Sequence, residues 1–357
     1  MALSHLGGSL LIRPGQQPAI IGSRPLLAAR LLRGQPGDAA VQRLPLLYSL
    51  CGQAHRLTAR LAVNAARQGT PQLDPLALQA LQAENRREHL RRLVIDWPAR
   101  LGFRPPAIEV LREWELAPEA TMSAWLDSPL ATWLSEWQAD PRQTLRAWTQ
   151  RSGHWLAAAL AACRDDDLPL AVRPLRVGTR CANASASLGY IAEQLRSTLD
   201  FPQHPDLQGL PCETGCWTRE AQAAPEQFDS SWLRLGAHVA ELARLALTQP
   251  AELAMGALPL APGEGMAWSE TARGLLIHRV CLEPEASGGR ICDYQVIAPT
   301  EWNLHPHGAL ARALAALAPG TARSERQARL LMAAYDPCIP FTLAPHPSAE
   351  PGPDDHA

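Results

Sequence analysis

The segment from Asp38 to Arg67, DAAVQRLPLLYSLCGQAHRLTARLAVNAAR, constrains the fold most. Leu47, Leu50, Cys51, Ala54, Leu57 and Leu61 fall on one face at helical spacing, which predicts a long helix with a buried apolar stripe. Asp38 offers an N-cap, and Pro45 marks a kink or a late start. Such a stripe needs a sizeable core to lie on. A chain of 357 residues with 46% hydrophobic content can supply one.

Helical patterning continues over 75–94, from Asp140-Pro141 to about Cys163, and over 184–199, 228–247, 307–317 and 323–334. Within 75–94 the polar run ENRREHLRR, residues 84–92, reads mostly as a solvated face. Residues 9–22 read as two short strands around a Pro-Gly turn. RGLLIHRVCLE and RICDYQVIAPT, separated by PEASGG, predict a hairpin. The Pro-rich stretch 98–106 and the loop 201–212 read as insertions in one α-rich fold. There is no repeat and no domain boundary, so residues 1–346 read as a single domain. The polar, Pro-rich tail 347–357 is expected to be disordered. The expected class is mainly α, an α+β fold with a central helix bundle and small antiparallel sheets at its flanks.

A formal charge of −2 gives no pull toward nucleic acid. All 33 basic residues are arginine, which genome composition explains more readily than function. The N-terminus has neither the basic start nor the apolar run of a secretory signal, and no apolar stretch approaches the ~20 residues of a membrane span. A cytoplasmic protein that binds neither nucleic acid nor membrane is expected. Eight cysteines are too sparse for a disulfide scaffold, so free thiols follow.

Cys51 and His55 stand at i and i+4, on one helix face, and read either as core packing or as ligands. Cys338 follows Asp336-Pro337, which must end the preceding helix and set the thiol on a turn. Cys212 and Cys216 form a CxxxC without close partners, a poor zinc signal. Arg273 in TARG sits at the mouth of a strand. YQVIAPTEWN ends a strand at Pro299 and Thr300. Each has a plain structural reading when taken alone.

Together and in this order, these segments resemble the large subunit of nickel–iron hydrogenases. That family carries RxCGxCxxxH, ETGPxAR, APRG, YxxVxPTxWN and DPCxxCxxH. This chain carries LYSLCGQAH at 47–55, ETGCWTR at 213–219, TARG at 271–274, YQVIAPTEWN at 294–303 and DPCIPF at 336–341. In the enzymes four cysteines hold nickel and iron. On the resemblance, Cys51 and Cys338 keep two of those positions, while Tyr48 and Phe341 replace the other two. His346 lies two residues beyond the expected histidine. The glutamate of the family's N-terminal EGH segment has no counterpart in GGSLLIR.

Phenylalanine has no donor atom, and a phenol is a poor substitute for a soft thiolate. A four-thiolate nickel site therefore cannot form, and neither nickel nor hydrogen cleavage is expected. The resemblance implies instead an iron carrying two cyanides and one carbon monoxide. With two thiolates this group has a net charge of −2, and buried it needs donors and positive charge. Arg273 matches the family arginine facing one cyanide, with Thr271 in the same turn. Thr300 beside Pro299 matches the hydroxyl facing the other. His55, Cys216 and His346 are further candidate ligands.

A kept iron pocket with a dismantled nickel half resembles the HupK/HoxV-type hydrogenase maturation proteins. That resemblance implies a non-enzymatic scaffold or carrier for the iron group. Its implied partners are a chaperone of the HypC type and the hydrogenase large-subunit precursor. Two alternatives stay open: a metal-free structural subunit of a complex-I-like redox complex, and an enzyme with an altered metal site.

Overall fold

A computed structural model describes residues 8–68, 74–177, 184–220, 225–248, 253–284 and 289–344. Its strands are β1 (Leu10–Ile12), β2 (Ile20–Ile21), β3 (Met255–Ala261), β4 (Glu264–Thr271), β5 (Gly274–Leu282), β6 (Ile291–Ile297) and β7 (Phe341–Leu343). Strands β3 to β6 form a four-stranded antiparallel meander. The expected hairpin is its β5–β6 pair. β3 escaped the sequence reading because Pro259 interrupts it, which an edge strand tolerates. β1 pairs antiparallel with β2 and parallel with β7, so the two ends of the chain share a small mixed sheet.

The meander is covered on both faces, and strand alternation decides what meets which cover. Ala267, Leu276 and Val280 pack with Leu57 and Leu61 of helix Gly52–Ala66. Met266, Trp268, Leu275 and Ile277 pack with Leu188, Ile191 and Leu195 of helix Ala184–Ser197. Beside this layer lies a helical core built around helix Ser231–Ala246, with the buried Trp97, Trp133, Trp137 and Trp148.

Several helices differ from the expectation. The segment after Asp38 is two helices, Asp38–Leu47 and Gly52–Ala66, joined by a short 3-10 turn. Pro45 lies inside the first helix, and the break comes three residues later, at Tyr48. Leu50 is consequently exposed rather than part of the stripe. Asp38 does not cap the helix but pairs with Arg67 at 3.1 Å. The helix begun by Asp140 stops at Arg151 and resumes at Trp155, around Gly153. Three helices of the Trp-rich stretch, Glu109–Leu116, Pro118–Leu126 and Leu130–Ala139, were not anticipated.

The run ENRREHLRR is the plainest correction. Glu84, Asn85, His89 and Arg92 are buried, because helix Pro75–Arg91 turns this face toward the loops that converge on the site. The tail 347–357 lies outside the described residues. No helix of the described residues is long and apolar enough to cross a membrane.

Candidate metal-group site

Helix Ala322–Tyr335 stops where Asp336 takes a left-handed conformation, φ 39°, ahead of Pro337. The Asp336 carboxylate accepts from Arg92 Nε at 2.8 Å, Arg100 Nη1 at 2.6 Å and Arg273 Nε at 3.0 Å. Burial pushes this carboxyl up. The guanidinium groups of Arg273, Arg92 and Arg100 outweigh it and hold it well below the usual range. This cluster fixes the turn that carries Cys338.

Arg273 is delivered by the β4–β5 turn. Thr271 Oγ1 donates to the Gly274 carbonyl at 2.9 Å and accepts from Arg273 N at 3.1 Å. Gly274 has φ +127°, and a Cβ there would come within 2.6 Å of the Thr214 side chain, so this tight turn requires glycine. Arg273 is buried. Its Nη1 donates to Glu88 at 3.0 Å, and its Nε also reaches the Asp336 carbonyl at 3.1 Å.

Thr300 stands in the first turn of helix Pro299–Asn303, with Pro299 at the position where a missing N–H costs nothing. Its Oγ1 lies 3.0 Å from Cys338 Sγ, and Cys338 N donates back to that oxygen at 3.4 Å. The ETGC segment is tied to the same helix: Thr214 N donates to Asn303 Oδ1 at 2.9 Å, and Asn303 Nδ2 donates to the Thr214 carbonyl at 2.8 Å.

Cys51 arrives from the other end of the chain. Buried Glu84 explains why the long helix breaks just before it. The carboxylate accepts from Gln53 N at 2.7 Å and Ala54 N at 3.0 Å, capping a new helix N-terminus. Cys51, the residue before that helix, is left in a non-helical conformation on the turn. Burial first, then the nearby Cys338, push the Cys51 thiol up, and Arg273 opposes them. Cys51 and Cys338 thus belong to one charged neighbourhood that includes Arg273.

Tyr48 stacks on His55, with centroids 4.1 Å apart and planes 14° apart. His55 is buried, its Nδ1 lying 3.0 Å from His278 Nε2, and its Nε2 has no partner among the described residues. His278 in turn meets the Tyr294 hydroxyl at 2.7 Å and is pushed down to about 3 by burial. Cys216 lies in the helical core, 3.2 Å from His238 Nδ1, with its thiol pushed up to about 12 by burial. Phe341 starts β7, where the Arg100 guanidinium lies 5.5 Å from its ring centroid. His346 lies outside the described residues. Among the described residues, no three or more His, Cys, Asp or Glu side chains are arranged to hold a metal ion, and every described cysteine is a free thiol.

Two contributors escaped the sequence reading. The face Glu84–Glu88–Arg92, at i, i+4 and i+8, supplies the cap of the Cys51 helix, a partner for Arg273 and a partner for Asp336. That spacing was the available signal. Arg24, in the loop after β2, donates through Nη2 to Cys338 Sγ and lies 3.5 Å from Glu301. No local pattern marks it.

These features sit on a helix-rich fold of the hydrogenase large-subunit kind. The fold matches the nickel–iron–selenium hydrogenase of D. vulgaris Hildenborough with a TM-score of 0.52, at 13% identity over 90% of this chain and 93% of that one. It matches an NAD+-reducing nickel–iron hydrogenase with a TM-score of 0.50, at 16% identity over 90% and 92%. No family model matches. The sequence is 42% identical to the hydrogenase expression/formation protein HoxV of Cupriavidus necator, over 95% of both chains. It is 31% identical to the hydrogenase expression/formation protein HupK of Bradyrhizobium diazoefficiens, over 95% and 94%. The chain belongs to the HupK/HoxV family of hydrogenase expression/formation proteins.

Proposed function

We propose that, within hydrogenase maturation, this chain is a non-catalytic carrier that holds the iron group with its two cyanides and one carbon monoxide before insertion into the large subunit. One observation carries the reading: Cys338 meets Thr300 at 3.0 Å on a turn tied to Arg273 through Asp336, with Cys51 in the same charged neighbourhood, while Tyr48 and Phe341 bring no thiolate. Such a group is cargo here rather than a resident cofactor.

The donor set suits an anionic group. Two thiols give soft ligands, and Arg273 supplies a charge that does not titrate away. Thr300 supplies a hydroxyl at the same turn. Arg273 is already fixed by Glu88 and Asp336, so its positive charge is in place before the cargo arrives. Two ligating thiols hold a group less firmly than four, as a carrier requires. On this reading the partners are a HypC-type chaperone that delivers the group and the large-subunit precursor that receives it.

The test is infrared spectroscopy with metal analysis on protein purified without oxygen from cells expressing the full maturation set. Cyanide and carbonyl stretches with stoichiometric iron and no nickel are expected. Absence of both bands and iron, in a preparation whose HypC-type chaperone does carry them, would overturn the carrier reading in favour of a structural role.

A further inference from the structure

A cation in contact with Cys338, Arg24, comes from neither of the segments that carry the thiols. Arg24 is placed by the β1–β2 pair. Gly22 has φ +102°, and a Cβ there would stand 2.2 Å from the Ser9 carbonyl oxygen, so the chain turns toward the site only with glycine at this point. The Arg24 side chain is 11% exposed. Its Nη2 faces Cys338 Sγ, its Nε faces Glu301 at 3.5 Å, and its guanidinium carbon lies 5.5 Å from the Tyr48 ring centroid. Cys51 also lies within its field. Glu301 is itself held, accepting from Ala298 N at 3.0 Å, so it steadies the far edge of the guanidinium.

We propose that Arg24 sets the specificity of the thiol site: placed between Cys338 and Tyr48, its permanent charge bars bare divalent cations from the sulfurs and admits an anionic metal group. The identity of that anionic group rests on the carrier reading; the exclusion of divalent cations does not. A divalent ion bound to both thiols would face two guanidinium groups, the largely covered Arg24 and the buried Arg273, neither of which can lose its proton. It would also have to displace Nη2 from the Cys338 sulfur. An anionic group meets the opposite field, and Nη2 can turn from the sulfur to the incoming ligands. Room for that movement lies alongside, in a cavity of about 100 Å³ lined by Arg24, Tyr48, Leu199, Tyr294 and Glu301.

The experiment is an anaerobic cobalt(II) titration of the reduced, metal-free full chain, read by thiolate-to-cobalt charge-transfer absorption. Wild type is compared with Arg24→Met, Arg24→Gln and Arg24→Lys. The glutamine variant keeps a donor without the charge, and the lysine variant keeps the charge. At least tenfold tighter cobalt binding is expected in the methionine and glutamine variants, lost again on adding Cys338→Ser, with the lysine variant close to wild type. Circular dichroism checks the fold of each, and either neutral variant suffices if the other does not fold. Wild-type binding as tight as that of a folded neutral variant would overturn the proposal. That result in a protein that still shows cyanide and carbonyl bands would remove the role of Arg24 alone. Missing bands with the cobalt contrast intact would remove the carrier reading alone.

Discussion

Asp336 and Cys338 stand two residues apart on one turn, in surroundings of opposite kind. The carboxylate is sealed from solvent and accepts from Arg92, Arg100 and Arg273. The sulfur is partly exposed and meets one hydroxyl and one guanidinium, from Thr300 and Arg24. A charge with all its partners in place has nothing left to offer a ligand, and its office is to hold the backbone. A thiol at the edge of that frame keeps its capacity to ligate. Cys216 makes the same point from the other side: a buried thiol bonded to His238 belongs to the frame.

The sharpest way to break this comparison is to remove a thiol. Cys51→Ser and Cys338→Ser should each abolish retention of the iron group, read by infrared bands. Unfolding free energy should change by less than about 1 kcal/mol, since each exchanges one atom near the surface of the frame. Asp336→Ala should do the reverse to the fold. It leaves Arg92 and Arg273 buried without their shared carboxylate, and we expect a loss of about 3–5 kcal/mol in urea denaturation. A variant as stable as wild type would contradict the framing role.

Cys216→Ala should cost about 1–2 kcal/mol through the lost His238 contact and a small void, with the infrared bands unchanged. Bands lost in that variant would move Cys216 into the ligand set. Acid stability tests the buried frame independently of any substitution. His238 and His278 are each pushed down to about 3, both by burial and His238 also by Arg92. The unfolded chain binds a proton at each near pH 6.5, and the folded chain does not. Their contribution is thus present above about pH 6.5 and is lost as pH falls toward 3, on the order of 1 kcal/mol per pH unit for each. Denaturation midpoints measured from pH 7 to 5 should fall accordingly; a flat profile would contradict the neutral, buried assignment.

Much of this architecture was legible in the sequence. Patterns that live within one element were readable: the helices at 184–197, 231–246 and 322–335, the β5–β6 hairpin, and the turn forced by Pro337. Thr300 and Cys338, from two separate blocks, meet at 3.0 Å, and Arg273 reaches the carbonyl of Asp336 beside Cys338. What failed was partner-dependent. ENRREHLRR looks solvated because six of its residues are charged in isolation, and only the fold reveals that Glu84 caps a helix and Arg92 meets Asp336. The stripe after Asp38 is continuous in periodicity, yet the same Glu84 breaks it. The helices at 109–139 are short and begin after prolines or beside them, so no long periodic run announces them. Arg24 precedes Pro25 in a loop and acts on a residue more than three hundred positions away.

The central claim is that two thiols of this chain hold an anionic iron group. Iron-edge X-ray absorption on the anaerobically loaded protein tests it most directly, by counting sulfur neighbours of iron in wild type and in Cys338→Ser. The account predicts two sulfurs in wild type and, in any iron that remains, one in the variant. Iron without sulfur neighbours in wild type, or a count unchanged by the substitution, would contradict it.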